Sequence, residues 1–196
     1  MDRMSSTRAA ALPPEQRREA IVDSTIPLLI AHGSAVTTRQ IAEAAGIAEG
    51  TIFRVFPDKD SLIDAVIERV FDPDPVDSAI RAIDRTLPLE ARLVAAVEIV
   101  QARIRNIWKL MSAVGVNKVP DRDAEDSGQR QVDLTSLAEL FDPDQQSLTR
   151  DPITAAGLLY GLAFAACHPM IATPSLSAAD VVSVILDGLR GPATNP

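Results

Sequence analysis

The thirty residues from Gly33 to Leu62, GSAVTTRQIAEAAGIAEGTIFRVFPDKDSL, constrain the fold more than any other part of the chain, because they start and stop a helix three times over. Thr37-Thr38-Arg39-Gln40 has the form of a capping box, in which the Thr37 hydroxyl takes the amide three residues on and Gln40 reaches back. The spacing predicts a short helix with Ile41, Ala42 and Ala45 turned inward and Gly46 at its end. After the turn Gly46-Ile47-Ala48, a second short helix is expected over Glu49–Val55, closed by Pro57. Asp58 then caps a third, Lys59 to about Phe71, whose apolar side carries Leu62, Ile63, Val66 and Val70. Two helices of about eight and seven residues across a glycine turn have the dimensions of a helix-turn-helix.

The rest of the chain also reads as helix. Strand signals are nearly absent, so the predicted class is all-α: a three-helix head at the N-terminus and a larger helical body. Residues 1–14 read as a disordered arm, 15–62 as the head and 63–196 as the body. From Pro14 to His32 one helix places Ile21, Thr25, Leu28 and Leu29 on a face, with Gly33 as its stop. Pro27 sits inside it and is expected to kink or divide it. Pro73, Pro75 and Pro88 divide the early body helices. Residues 89–112 carry a stripe of Leu93, Val97, Val100, Ile104, Ile107, Trp108 and Met111, which is a long helix. A polar loop is expected over 117–131 and a short helix over Leu134–Phe141. Two apolar helices close the chain at about 153–167 and 178–190, the second capped by Ser177.

Composition excludes several functions. With 46% hydrophobic and 23% charged residues in 196, the chain has enough apolar surface for a real core. No apolar run approaches the roughly 18 residues that span a bilayer, and the polar start is no signal peptide, so a cytoplasmic protein with no membrane partner is expected. Cys167 has no disulfide partner, and with only His32 and His168 beside it no zinc set is expected. There are no paired carboxylates near a histidine and no phosphate loop. Neither an enzyme nor a cofactor is expected. The net charge of −8 argues against a nonspecific nucleic-acid coat. It is unevenly spread: residues 1–60 carry seven Lys/Arg and eight Asp/Glu, so the head is far less acidic than the body.

On the second motif helix, Thr51, Phe53 and Arg54 are expected outside while Ile52, Val55 and Phe56 point in. An exposed aromatic beside an arginine suits a helix in the major groove, where Phe53 meets a thymine methyl or a sugar edge. The stretch as a whole, with TT-x-x-IA-x-x-AG, then G-T-aromatic-x-x-F, then K-x-x-L, resembles the DNA-binding head of the tetracycline-repressor-like (TetR) family of bacterial transcriptional regulators. The resemblance implies a homodimer that binds a palindromic operator on double-stranded DNA, usually repressing transcription until a small molecule binds the body. It implies phosphate contacts for Thr37, Thr38 and Lys59, a phosphate or guanine contact for Arg39, and a phosphate- and groove-contacting pair in Thr51 and Phe53, next to Gly50 of the motif. Arg54 faces the groove on the same helix. Three positions depart from the pattern. Ala48 stands where a serine cap is usual, Phe53 replaces the commoner tyrosine, and Glu49 repels phosphate unless it accepts from a cytosine amino group.

In the body, Gly157, Gly161 and Ala165 recur every four residues and let a second helix approach closely, and Val182, Ile185, Leu186 and Leu189 form one face of the last helix. These residues are the expected dimer interface, and the resemblance implies a four-helix bundle there. Trp108, Met111, Phe141, Phe164, Cys167 and Met170 are the candidate lining of an effector pocket, for a ligand that is largely apolar. The helix from Lys59 is the expected lever between head and body, with Val66 and Val70 packed against the body. The alternative is an all-α ligand carrier or interaction adaptor whose helical hairpin is incidental.

Overall fold

A computed structural model describes residues 13–115, 133–168, 171 and 176–189. The helices among them are α1 (Pro14–His32), α2 (Thr38–Ala45), α3 (Glu49–Val55), α4 (Lys59–Phe71), α5 (Asp74–Arg81), α6 (Leu89–Val114), α7 (Thr135–Ala138), α8 (Pro152–Cys167) and α9 (Ala178–Leu189), with short 3-10 helices at Gly33–Ala35 and Asp142–Ser147. No strand occurs among the described residues, and the all-α reading stands. The expected N-terminal arm and the loop at 117–131 fall almost wholly outside the described residues.

The chain divides into two compact units, Met1–Phe71 with Leu110–Val116, and Asp72–Lys109 with Asn117–Pro196. The sequence reading drew the boundary at 62, inside α4. The first unit instead keeps the whole helix, because Leu62, Ala65, Val66 and Ile67 are buried in its core and Val70 packs against it. That overturns the expected placing of Val66 and Val70 against the body. The same core takes Ile21, Val22 and Leu29 from α1, Val36, Ile41 and Ala42, Ile52 and Phe56 from the helix-turn-helix, and Leu110 from α6. Each fully buried aliphatic side chain there contributes roughly 1.5–3 kcal/mol. Arg18 lies over the ring of buried Phe56, 4.5 Å from its centroid, and closes one side of the core.

Local chemistry sets the helix ends in this unit. The capping box is complete: Gln40 N donates to Thr37 Oγ1 at 3.2 Å, and Thr37 N donates to Gln40 Oε1 at 2.9 Å. Gly46 stops α2 in the left-handed region, φ 66°, where a side chain is disfavoured. Gly33 stops α1 at φ 57°, ψ −148°, and a Cβ there would fall on the carbonyl oxygen of Ala113. Glycine is required twice over at that position, once by the backbone and once by the approach of the last turn of α6. Asp58 caps α4, its carboxylate accepting from Ser61 N at 2.8 Å. Pro27 does not divide α1. The carbonyl it deprives of a partner is that of Asp23, and Asp23 and Pro27 are both exposed, so that carbonyl lies on the solvent side of the helix.

The second unit packs α5 through α9 around Leu93, Ala96, Val97, Val100 and Ile104 of α6, Phe141, and the inner faces of α8 and α9. Asp151 caps α8 and Ser177 caps α9, the latter reciprocally with Asp180. Arg92, 3% exposed, ties two loops together. Its Nε and Nη2 donate to the Leu140 carbonyl at 3.2 and 3.0 Å, its Nη1 donates to the Leu87 carbonyl at 2.5 Å, and its Nη2 pairs with the Asp144 carboxylate. A guanidinium with this many fixed acceptors is compensated for its burial.

Candidate nucleic-acid interface

The head candidates lie at the start of α2, along α3 and at the start of α4. Thr37, Arg39, Glu49, Gly50, Phe53 and Arg54 are exposed, and Thr38, Thr51 and Lys59 are half-buried. Helix α3 turns Ile52 into the core, with Phe56 just beyond its end, and leaves Phe53 51% exposed, the division that its amphipathic spacing predicts. Val55, expected inside, is half-buried. Ala48 has the extended backbone of an N-cap but no side-chain oxygen to offer the helix, so the missing cap read in the sequence is missing in the structure.

Polar partners bring several of these side chains together. Thr38 Oγ1 donates to Glu49 Oε1 at 2.5 Å, joining the first turns of α2 and α3 across the glycine turn. Arg39 Nε donates to Glu43 Oε1 at 3.0 Å on the exposed face of α2. Hydrogen bonding and charge from Glu43 raise the Arg39 pKa further, with a smaller contribution from Glu49, so the guanidinium is a permanent cation. Lys59 Nζ donates to the Ser34 carbonyl at 2.5 Å, which fixes the ammonium at the start of α4 with two of its three donors left over. The Thr38–Glu49 bond was not legible as a pair in the sequence. Eleven positions separate the two residues, and neither periodicity nor motif links them.

The body candidates separate more sharply. Val182, Ile185 and Leu186 are 0%, 9% and 2% exposed inside the core of their own unit, so they are not available to a partner chain. The apolar face of α9 is covered by the protomer's own helices. Leu189 has no described side chain. On α8, Gly157 and Ala165 are half-buried and Gly161 is exposed, with open space where a Cβ would stand. Leu158 and Phe164 are exposed on the same helix, and Val184 is exposed on α9.

Of the effector candidates, Phe164 and Cys167 on α8 and Trp108 on α6 share one neighbour or one another's surroundings. The His168 ring meets Trp108 edge-on at 4.7 Å and Phe164 at 5.5 Å, while Arg105 Nη1 lies 3.7 Å from Cys167 Sγ. Burial pushes the Cys167 thiol up, against a smaller downward pull from Arg105. Phe141 is wholly buried core, and Met111 belongs to the stretch assigned to the first unit. Met170 lies outside the described residues. Among the described residues no group of three or more His, Cys, Asp or Glu side chains is placed to hold a metal, and no helix is long and apolar enough to cross a membrane.

Residues 21–66 match the family model described as bacterial regulatory proteins, tetR family. The chain is similar to the HTH-type transcriptional repressor KstR of Rhodococcus jostii (strain RHA1), 34% identical over 112 residues, which is 52% of each protein. It is also similar to the nucleoid occlusion factor SlmA of Actinobacillus pleuropneumoniae serotype 5b (strain L20), 34% identical over 58 residues, 29% of each. The chain thus spans about half the length of the first of these curated relatives and under a third of the second. Across nearly the whole chain, the fold is that of a tetR-family regulator from Mesorhizobium loti MAFF303099, with a TM-score of 0.62, 19% identity, 92% of this chain and 100% of that one.

Proposed function

We propose that the chain, whose residues 21–66 match the tetR family model and whose fold is shared with a solved regulator of that family, is a DNA-binding transcriptional repressor that reads a palindromic operator as a homodimer. The observation that carries the reading is the α2–α3 face itself. A seven-residue helix holds Phe53 and Arg54 in solvent over a buried Ile52, while Arg39 is exposed on α2 and Lys59 starts α4. An exposed aromatic ring beside an arginine has no packing role on a free surface and fits a groove edge lined by phosphates.

The dimer rests on a different feature. Leu158, Gly161 and Phe164 leave α8 with an exposed apolar strip that has room for a second helix, and two-fold symmetry is what a palindromic site demands. Val184 on α9 extends the apolar exposure, in place of the buried Val182, Ile185 and Leu186. The body's task is to bind a small, largely apolar effector that releases the DNA. The half-exposed aromatic and imidazole group around His168 is the part of the body that offers such a molecule a contact.

The test is selection of fragments of the source genome by the full-length chain, followed by footprinting. Enrichment of one inverted repeat upstream of a gene supports the reading. Recovery of no sequence-specific fragment refutes it.

A further inference from the structure

One hydrogen bond crosses the exposed face of the helix-turn-helix: Thr38 Oγ1 donates to Glu49 Oε1 at 2.5 Å. From this bond we infer that Glu49 reads a base, selecting cytosine at one position of each operator half-site, and that Thr38 is its positioning residue. The inference rests on the operator-binding reading above and adds to it what one residue recognises.

Glu49 is the first residue of α3, exposed, on a surface that must approach a polyanion. A carboxylate free to swing there repels phosphate. Held by Thr38, it has a fixed direction. The threonine hydroxyl has a single proton, and that proton is committed to Glu49, so Thr38 does not donate to a phosphate in this arrangement. What remains on Glu49 is acceptor only: all of Oε2 and one lone pair of Oε1. Major-groove donors are the amino groups of cytosine and adenine, whereas guanine O6 and N7 and thymine O4 are acceptors and repel a carboxylate. Adenine sets its N7 acceptor next to its amino group, against the second carboxylate oxygen. Cytosine sets a C–H there. The favoured base is therefore cytosine.

A second observation agrees. Arg39, whose Nε donates to Glu43, also feels the charge of Glu49, and its other N–H groups suit guanine O6 and N7. A cation and an anion within electrostatic reach match the two edges of a G·C pair, which presents acceptors on one base and an amino donor on the other.

The experiment is selection from random duplexes with the full-length chain and four variants, each first shown by thermal melting to fold like the unmodified protein. The unmodified chain is expected to fix cytosine at one position per half-site. Glu49→Ala should flatten that preference by about tenfold and leave every other position unchanged. Glu49→Gln should move it from cytosine toward adenine, because an amide offers the donor and acceptor that adenine N7 and N6 require. Thr38→Val should keep the position but weaken the preference, and Thr38→Ser should restore it. Selection by Glu49→Ala of the same bases at every position overturns the assignment of Glu49 while leaving the operator reading intact. An unchanged preference in Thr38→Val overturns the positioning role. If the unmodified chain enriches no sequence, the operator reading falls and this inference with it.

Discussion

Phe53 on α3 and Lys59 at the start of α4 do different work in the account, which makes them separable by substitution. Phe53 has an exposed ring and no charge, so its contribution is to shape and apolar contact at a base or sugar edge. Phe53→Ala is expected to weaken the selected operator about ten- to hundredfold per half-site and random DNA far less. Lys59 offers a point charge fixed by the Ser34 carbonyl. Lys59→Ala should weaken both kinds of DNA alike and make the salt slope shallower by about 1 for each lysine removed. Competition titrations on specific and random duplexes distinguish the two, and equal losses for both variants on both DNAs contradict the assignment. The positions proposed for these roles were legible because each falls in a motif with local spacing. The Thr38–Glu49 contact was not, because a bond between two helix starts depends on how the glycine turn sets them, which no local pattern encodes.

At the scale of elements, the clearest features in the sequence were helix ends. Thr37 with Gln40, Asp58 before Lys59, and Ser177 before α9 all cap as expected, since a cap is decided within four residues. The reading failed where the partner of a face had to be known. Val182, Ile185 and Leu186 have helical apolar spacing, but spacing says only that the face is covered, and here the protomer's own α6 and α8 core covers it. Likewise the stripe of α6 continues unbroken past Lys109, with nothing to signal that Leu110 enters the core of the other unit. Two predictions belong here. Ala48→Ser supplies the absent cap oxygen of α3, where the backbone is already extended, and should raise the stability of the first unit by about 1 kcal/mol in denaturant unfolding. The cap carboxylates predict an acid limit. Hydrogen bonds from Ser61, Thr154 and Ser177 hold Asp58, Asp151 and Asp180 below the ordinary aspartate value. A pKa lowered by folding gives stability that is complete at neutral pH and is lost as pH falls through the folded values. Melting temperature should be level from about pH 7 to 5 and fall below about pH 4, and a loss confined to the alkaline side contradicts the caps.

Over the whole molecule, charge and symmetry carry the account. The net charge of −8 is concentrated outside the first sixty residues, so the part proposed to meet DNA is the least acidic. The exposed strip on α8 predicts a dimer at micromolar concentration, and Gly161→Arg should yield monomers with an unchanged helix content by sedimentation and circular dichroism, because the position is open in the protomer. The central claim is that a protein this acidic binds DNA through phosphates on two heads. The most direct measurement is the salt dependence of binding to a genome-selected operator, followed by fluorescence anisotropy of the labelled duplex. A dimer neutralising about 6–8 phosphates predicts a slope of log K against log salt of about −5 to −7. A flat response across the salt range contradicts the account.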